Sequence, residues 1–152
     1  MGTSLEGRVV AIIGRGSSLD RAVAAALADA GADIAIATQQ PVHEQEFSTA
    51  SIANEIWAIG REQFSHVLDA TDAGAVSAFV EEVRRRLGRC DAIVVSQPEA
   101  DSASRVYEAV RIARAGTLVL AGAEAAGFTG VQHDSDAETA ARVVAVVSGA
   151  AR

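Results

Sequence analysis

Residues 8–38 switch periodicity twice, and few folds accommodate that. Arg8-Val9-Val10-Ala11-Ile12-Ile13 is a short apolar run, the pattern of a strand buried on both faces. Gly14-Arg15-Gly16-Ser17 reads as a tight loop, and Leu19 to Ala30 carries Ala, Leu and Val at helical spacing. Gly31-Ala32-Asp33 then turns the chain into a second strand, Ile34-Ala35-Ile36-Ala37. A strand, a helix and a strand in this order form a βαβ unit, which commits the chain to a parallel sheet.

The alternation continues. Thr38 to Phe47 is predicted as a loop containing Pro41, followed by a helix from Ser48 to Ile59 closed by Gly60. Phe64–Leu68 is a third strand, and Asp72 caps a helix through Leu87 that ends at Gly88. Arg84, Arg85 and Arg86 in its last turn suit a helix C-terminus, and Glu81–Arg85 and Glu82–Arg86 are expected i,i+4 pairs. Asp91–Val95 is a fourth strand, Ser102–Arg114 a fourth helix and Thr117–Ala121 a fifth strand. A Gly/Ala-rich loop and a helix from Asp136 to Val147 complete the pattern. The expectation is one α/β domain over residues 1–152, a Rossmann-like, doubly wound parallel sheet of about five strands.

At 152 residues the chain can bury a core without disulfides or metal. A net charge of −7 argues against nucleic acid or an anionic membrane as partner. The Met1 to Glu6 start lacks a signal-peptide pattern, and the single cysteine, Cys90, suits a reducing compartment, so a cytoplasmic protein is expected. His43, His66 and His133 show no metal-ligand spacing with Cys90, and no metal site is expected. His133-Asp134-Ser135 reads as a polar loop before the last helix, Cys90 as an inert half-buried thiol, and Trp57 as a packing or interface residue.

Residues 5–14, Leu-Glu-Gly-Arg-Val-Val-Ala-Ile-Ile-Gly, and the later run Arg21-Ala22-Val23-Ala24-Ala25-Ala26-Leu27-Ala28-Asp29-Ala30-Gly31-Ala32-Asp33 resemble the start of the short-chain dehydrogenases/reductases. So do Leu68-Asp69-Ala70-Thr71-Asp72 and Leu87-Gly88-Arg89-Cys90-Asp91 leading into the fourth strand, and the stretch from Asp136 to Ser148 looks like a late helix of that family. The resemblance implies a shortened member, lacking the family's catalytic middle segment and its closing strand. It also implies an NAD(P) site. Gly14 would be its first loop glycine, with Arg15, Gly16 and Ser18 beside the phosphates, Thr38 at the ribose-reading position and Asp69 at the adenine-contacting one.

Several of the family's working residues are replaced. The family loop Thr-Gly-x-x-x-Gly-x-Gly is matched in register only at Gly14, and Asp20 stands near where the diphosphate's charge would lie. Ser17-Ser18-Leu19-Asp20 instead spells a capping box, which predicts a helix end that satisfies itself. Arg15 leaves open a modified phosphate site, since its charge could offset Asp20. Thr38-Gln39-Gln40 carries no charge to read a ribose or its phosphate, and Asp69 fits equally a turn residue bonding local backbone. The family's catalytic Ser falls at Ala123, and its Tyr-x-x-x-Lys is imitated only by Tyr107 and Arg111, which precede the fifth strand instead of following it. All 13 basic side chains are arginine, so no Lys is present for that relay. No catalytic residue is therefore expected, and weak or no NAD(P) binding. Because family members associate through flanking helices, the resemblance implies a homo-oligomer, or a hetero-oligomer with a catalytic relative, with Val143–Val147 as apolar surface for a partner. A diverged NAD(P)-dependent oxidoreductase or subunit is the alternative.

Overall fold

The computed structural model describes residues 4–113 and 115–149; Met1–Thr3 of the N-terminal reading and Arg114, the predicted end of the fourth helix, lie outside them. Six strands form one sheet in the order β3-β2-β1-β4-β5-β6: β1 (Val9–Gly14), β2 (Asp33–Thr38), β3 (Gln63–His66), β4 (Ala92–Ser96), β5 (Thr117–Ala121) and β6 (Thr129–Val131). Every pairing is parallel, with Val9 opposite Asp33, Val10 opposite Ala92 and Ala92 opposite Thr117.

Strand periodicity divides the core in two. Val10 and Ile12 of β1, Ile34 and Ile36 of β2, and Val94 of β4 face α1 (Ser18–Asp29), α2 (His43–Ile59) and α5 (Asp136–Ser148). Ala11, Ile13, Ala35, Ile93 and Val95 face α3 (Ala73–Leu87) and α4 (Ala103–Ala113). Consecutive strand residues thus serve opposite layers, which is why these strands read as unbroken apolar runs. The doubly wound α/β expectation holds. α5 docks on the α1 side of the sheet, where Val143, Val144 and Val147 are buried. This corrects the expected partner-facing stripe: those valines are spent inside the chain.

Other corrections concern boundaries. α2 begins at His43 instead of Ser48 because its first turn, His43 to Glu46, has no apolar residue to mark a period, and because the buried Gln45 folds back to accept from the amides of Gln39 and Gln40. β3 ends at His66 instead of Leu68; beyond it Thr38 Oγ1 donates to Leu68 O at 2.8 Å and accepts from Leu68 N at 2.7 Å, replacing the ladder. The arginines ending α3 pair at i,i+3, Glu81 with Arg84 and Glu82 with Arg85, not i,i+4. Arg86 lies over the Phe64 ring, 4.1 Å from its centroid. Trp57 is 70% exposed and packs on no core.

The sixth strand was not legible, because it has only three residues and includes a glycine. Parallel neighbours ordinarily need a crossover of a dozen or more residues, commonly a helix. Residues 122–128 manage the return because β6 pairs only with Val119–Ala121. Two residues of the Tyr-x-x-x-Arg sequence hold this short connection on α4. Arg111 donates from Nη1 to Ala126 O at 2.7 Å, and the Tyr107 ring packs on Phe128 with centroids 5.5 Å apart. Phe128→Ala is expected to cost about 1–2 kcal/mol, less than a fully buried Phe. A denaturation midpoint shift of that size, with Tyr107 fluorescence reporting looser packing, is the check.

Candidate functional site

In an open α/β sheet, ligands bind outside the carboxyl ends of the strands where the order reverses. Here that point lies between β1 and β4, next to the start of α1. The capping box forms: Ser17 is the N-cap, its hydroxyl accepts from Asp20 N at 3.2 Å, and Asp20 answers the Ser17 amide at 3.1 Å. Asp20 does more than a capping-box acid requires. Its Oδ2 also accepts from the amides of Arg15 at 2.8 Å and Gly16 at 2.9 Å, and the residue is 1% exposed. A buried carboxylate is tolerable only when its lone pairs are satisfied, and three charge-assisted bonds at a helix N-terminus satisfy this one.

Both loop glycines follow from that arrangement. A Cβ at Gly14 would fall 2.5–2.7 Å from the Asp20 carboxyl atoms, so glycine makes room for the side chain itself. Gly16 has φ +78°, and a Cβ there would collide with Ser48 on α2. Arg15 does not meet Asp20 through its side chain. The guanidinium lies 3.9 Å from Glu99, at the outer limit of an ion pair, while its backbone amide serves the carboxylate. Ser18 bonds through its hydroxyl to Asp136, whose acidity is strengthened chiefly by that bond and then by His133 at 3.2 Å.

The other two candidate residues have local partners. Thr38 is fully buried, its hydroxyl wholly engaged with the Leu68 backbone. Asp69 is exposed and accepts from the hydroxyl of Thr71 at 2.6 Å and its amide at 3.0 Å; the hydroxyl bond, then the amide bond, holds its carboxyl below the usual range. The structure therefore groups Gly14, Arg15, Gly16 and Ser18 at one loop, and places Thr38 and Asp69 past the ends of β2 and β3.

Sequence reading noted Gln39 only for its missing charge. The residue is 3% exposed, and its amide nitrogen donates to Ser96 O at 2.7 Å and Ile13 O at 3.3 Å. It thus spans from the end of β2 across β1 to the end of β4, over the point where the strand order reverses. Gln39 O accepts from Ala70 N, and Gln45 Oε1 takes the Gln39 amide. Two glutamines flanking Pro41, at a strand end and in the next helix's first turns, were the signal available.

On the far side of the loop a crevice of about 290 Å³ opens between α1, α5 and the ends of β4 and β5, with Arg15, Ser18, Ser96, Gln97, His133 and Asp136 in its wall. Tyr107 is not there. It packs with the α3/α4 layer, where burial raises its phenol, and Ala123 also packs on that layer. His133 and Ser135 serve the start of α5, Ser135 as N-cap. Among the described residues no group of three or more His, Cys, Asp or Glu could hold a metal, and no helix is long and apolar enough to cross a membrane.

A family model described as short chain dehydrogenase matches residues 8–151. The chain belongs to the short-chain dehydrogenase family. A 2-dehydro-3-deoxy-D-gluconate 5-dehydrogenase of Pseudoalteromonas atlantica is 32% identical over 91 residues, 60% of this chain and 34% of that relative. The chain thus matches about a third of the length of that curated relative. A hydroxysteroid dehydrogenase structure from Escherichia coli superposes with a TM-score of 0.63 at 18% identity, over 97% of this chain and 72% of that one. An NAD+-bound xylitol dehydrogenase gives 0.60 at 22% identity, over 96% and 61%. Dinucleotide binding is the norm of this family, and the likeness to these structures is one of fold.

Two outcomes test this geometry. Gln39→Leu leaves two buried carbonyls short of a donor, so it is expected to cost about 1–3 kcal/mol, read as a lower urea midpoint at unchanged slope. Cys90, whose thiol burial pushes up to about 11, is expected to alkylate at pH 8 roughly two orders of magnitude more slowly than a free cysteine of pKa about 8.5. Its rate should climb about tenfold per pH unit until near that value. Iodoacetamide labelling followed by mass spectrometry measures it.

Proposed function

We propose that this chain is a non-catalytic short-chain dehydrogenase relative whose dinucleotide site has degenerated. Its role in this reading is that of a structural or regulatory partner, either with itself or with a catalytic family member, in the cytoplasm. The observation that carries the reading is the Asp20 carboxylate held by the amides of Arg15, Gly16 and Ser17. Amides at a helix start are what such folds offer a diphosphate. Here an internal anion holds them, and a diphosphate would have to displace a buried, bonded carboxylate while adding charge of the same sign.

Further features support it. Gln39 ties β1 to β4 across the switch point. The chain has no lysine, and its only tyrosine, Tyr107, packs on Phe128 in the opposite layer from the crevice. The return from β5 to β6 through residues 122–128 is in keeping with a lost catalytic segment. Exposed Phe47 and Trp57 on α2, each 70% exposed, give a partner something apolar to cover.

A second reading, a diverged NAD(P)-binding oxidoreductase or a subunit of one, is favoured by family membership and by the crevice beside Arg15 and Ser18. Calorimetric and thermal titrations with NADH and NADPH separate the two. A ligand at about 100 times its Kd adds about 2.7 kcal/mol to stability. The non-catalytic reading expects no heat of binding and an unchanged melting temperature with either nucleotide at about 1 mM. Micromolar binding with a rise of several degrees would favour the second reading.

A further inference from the structure

Exposed apolar surface on this chain is concentrated at one edge. Of the six large hydrophobic side chains exposed among the described residues, five belong to α2, to its N-cap or to the segment just past β3: Val42, Phe47, Trp57, Ile59 and Val67. Such groups scattered singly need no explanation, but a cluster of them does. α2 buries Gln45, Thr49, Ile52, Ala53 and Ile56, and its outer side carries exposed Phe47, Asn54 and Trp57 with half-buried Ala50. Phe47, Ala50, Asn54 and Trp57 follow at steps of three, four and three residues, the spacing of a helix-packing seam.

The layout of charge selects a second copy of this chain as the occupant. At −7 the chain repels itself wherever carboxylates meet, and none of the four seam residues is charged. Glu55, on the flank toward α1, is paired with Arg21. The other two acids of the helix, Glu44 and Glu46, lie in its first turn. Arg61 follows the C-cap Gly60 at the opposite end, held at 3.5 Å by exposed Glu6. An antiparallel partner sets each acidic end against the uncharged end of the other copy, next to Arg61. At a rise of about 1.5 Å per residue, Glu44 and Glu46 then stand about 18–24 Å along the axis from their counterparts. That is beyond the screening length of about 8–10 Å, whereas a parallel pair stacks them side by side.

The seam also reads alike from both ends, as a twofold interface requires. Antiparallel about Ile52, Phe47 of one copy meets Trp57 of the other, and Ala50 meets Asn54. Small residues at the centre let the backbones approach, and an aromatic pair closes each end. Glu46 falls beside Trp57 of the other copy, which gives the indole N–H an acceptor as it is covered. Two rings per copy, each 70% exposed and of about 150–250 Å², remove roughly 500 Å² from water. That places the pair among small, reversible interfaces.

We infer that α2 is the interface of a symmetric homodimer, packed antiparallel on α2 of a second copy with the twofold axis at Ile52. The inference rests on the partner reading above, for which it names the face and the occupant.

Sedimentation velocity on the intact chain tests it. A reversible species of twice the 15.6 kDa chain mass is expected, with a Kd of about 1–100 μM. Phe47→Glu and Trp57→Lys are each expected to raise that Kd at least about tenfold. Both positions are 70% exposed, so each variant is expected to keep the wild-type circular dichroism spectrum. Mixed in equal amounts, the two variants are expected to recover a heterodimer. In the antiparallel register the introduced carboxylate faces the introduced ammonium, and the native Phe–Trp pair survives at the other end. A wild-type chain still monomeric at about 1 mM, a dimer indifferent to Phe47→Glu, or a mixture no tighter than either variant alone overturns the inference. NADH titrated into the same samples separates the two readings. A monomer silent to NADH overturns this inference and leaves the non-catalytic assignment standing. A dimer that both substitutions weaken, and that binds NADH at micromolar Kd, upholds the interface and overturns that assignment.

Discussion

One carboxylate organises the start of this molecule. Asp20 sits buried at the head of α1 with three amides on a single oxygen, and its neighbours are shaped to keep it there. Gly14 gives its side chain room, Gly16 takes the positive φ that closes the loop under Ser48, and Ser17 completes the reciprocal cap. The helix dipole and the loop's donors, which such a fold presents to an anion, are answered from within the chain. The same residues would be needed for a different reason in a relative that binds a dinucleotide, so glycines in a loop are ambiguous until their contacts are known.

The crossing of the sheet depends on a second knot. Gln39 links β2, β1 and β4 at their carboxyl ends, with Gln45 behind it. Thr38 ties β2 to the segment after β3. Buried polar networks of this kind stabilise only when every member is satisfied, and among these residues each side chain has its partner. Ser96, at the end of β4, is the exception: its buried hydroxyl has no hydrogen-bond partner among the described residues.

Much of this was legible without coordinates. The apolar runs of β1, β2 and β4 named a sheet covered on both faces, and Ser17-Ser18-Leu19-Asp20 announced its capping box in the order of its letters. Family resemblance was readable because it rests on spacing over nearly a hundred residues, and the family match bears it out. What stayed hidden was of two physical kinds. Short or exposed elements carry no periodicity, which concealed β6 and the first turns of α2. Contacts between residues distant in sequence leave no local trace. Nothing in the sequence marks Gln39 as reaching Ser96, or Arg111 as donating to Ala126 O.

The most direct test of the account is a crystal structure grown in excess NAD or NADP. It should show Asp20 Oδ2 still on the amides of Arg15, Gly16 and Ser17, with no dinucleotide across the first turn. A diphosphate seated on those amides, with Asp20 swung away, would contradict it.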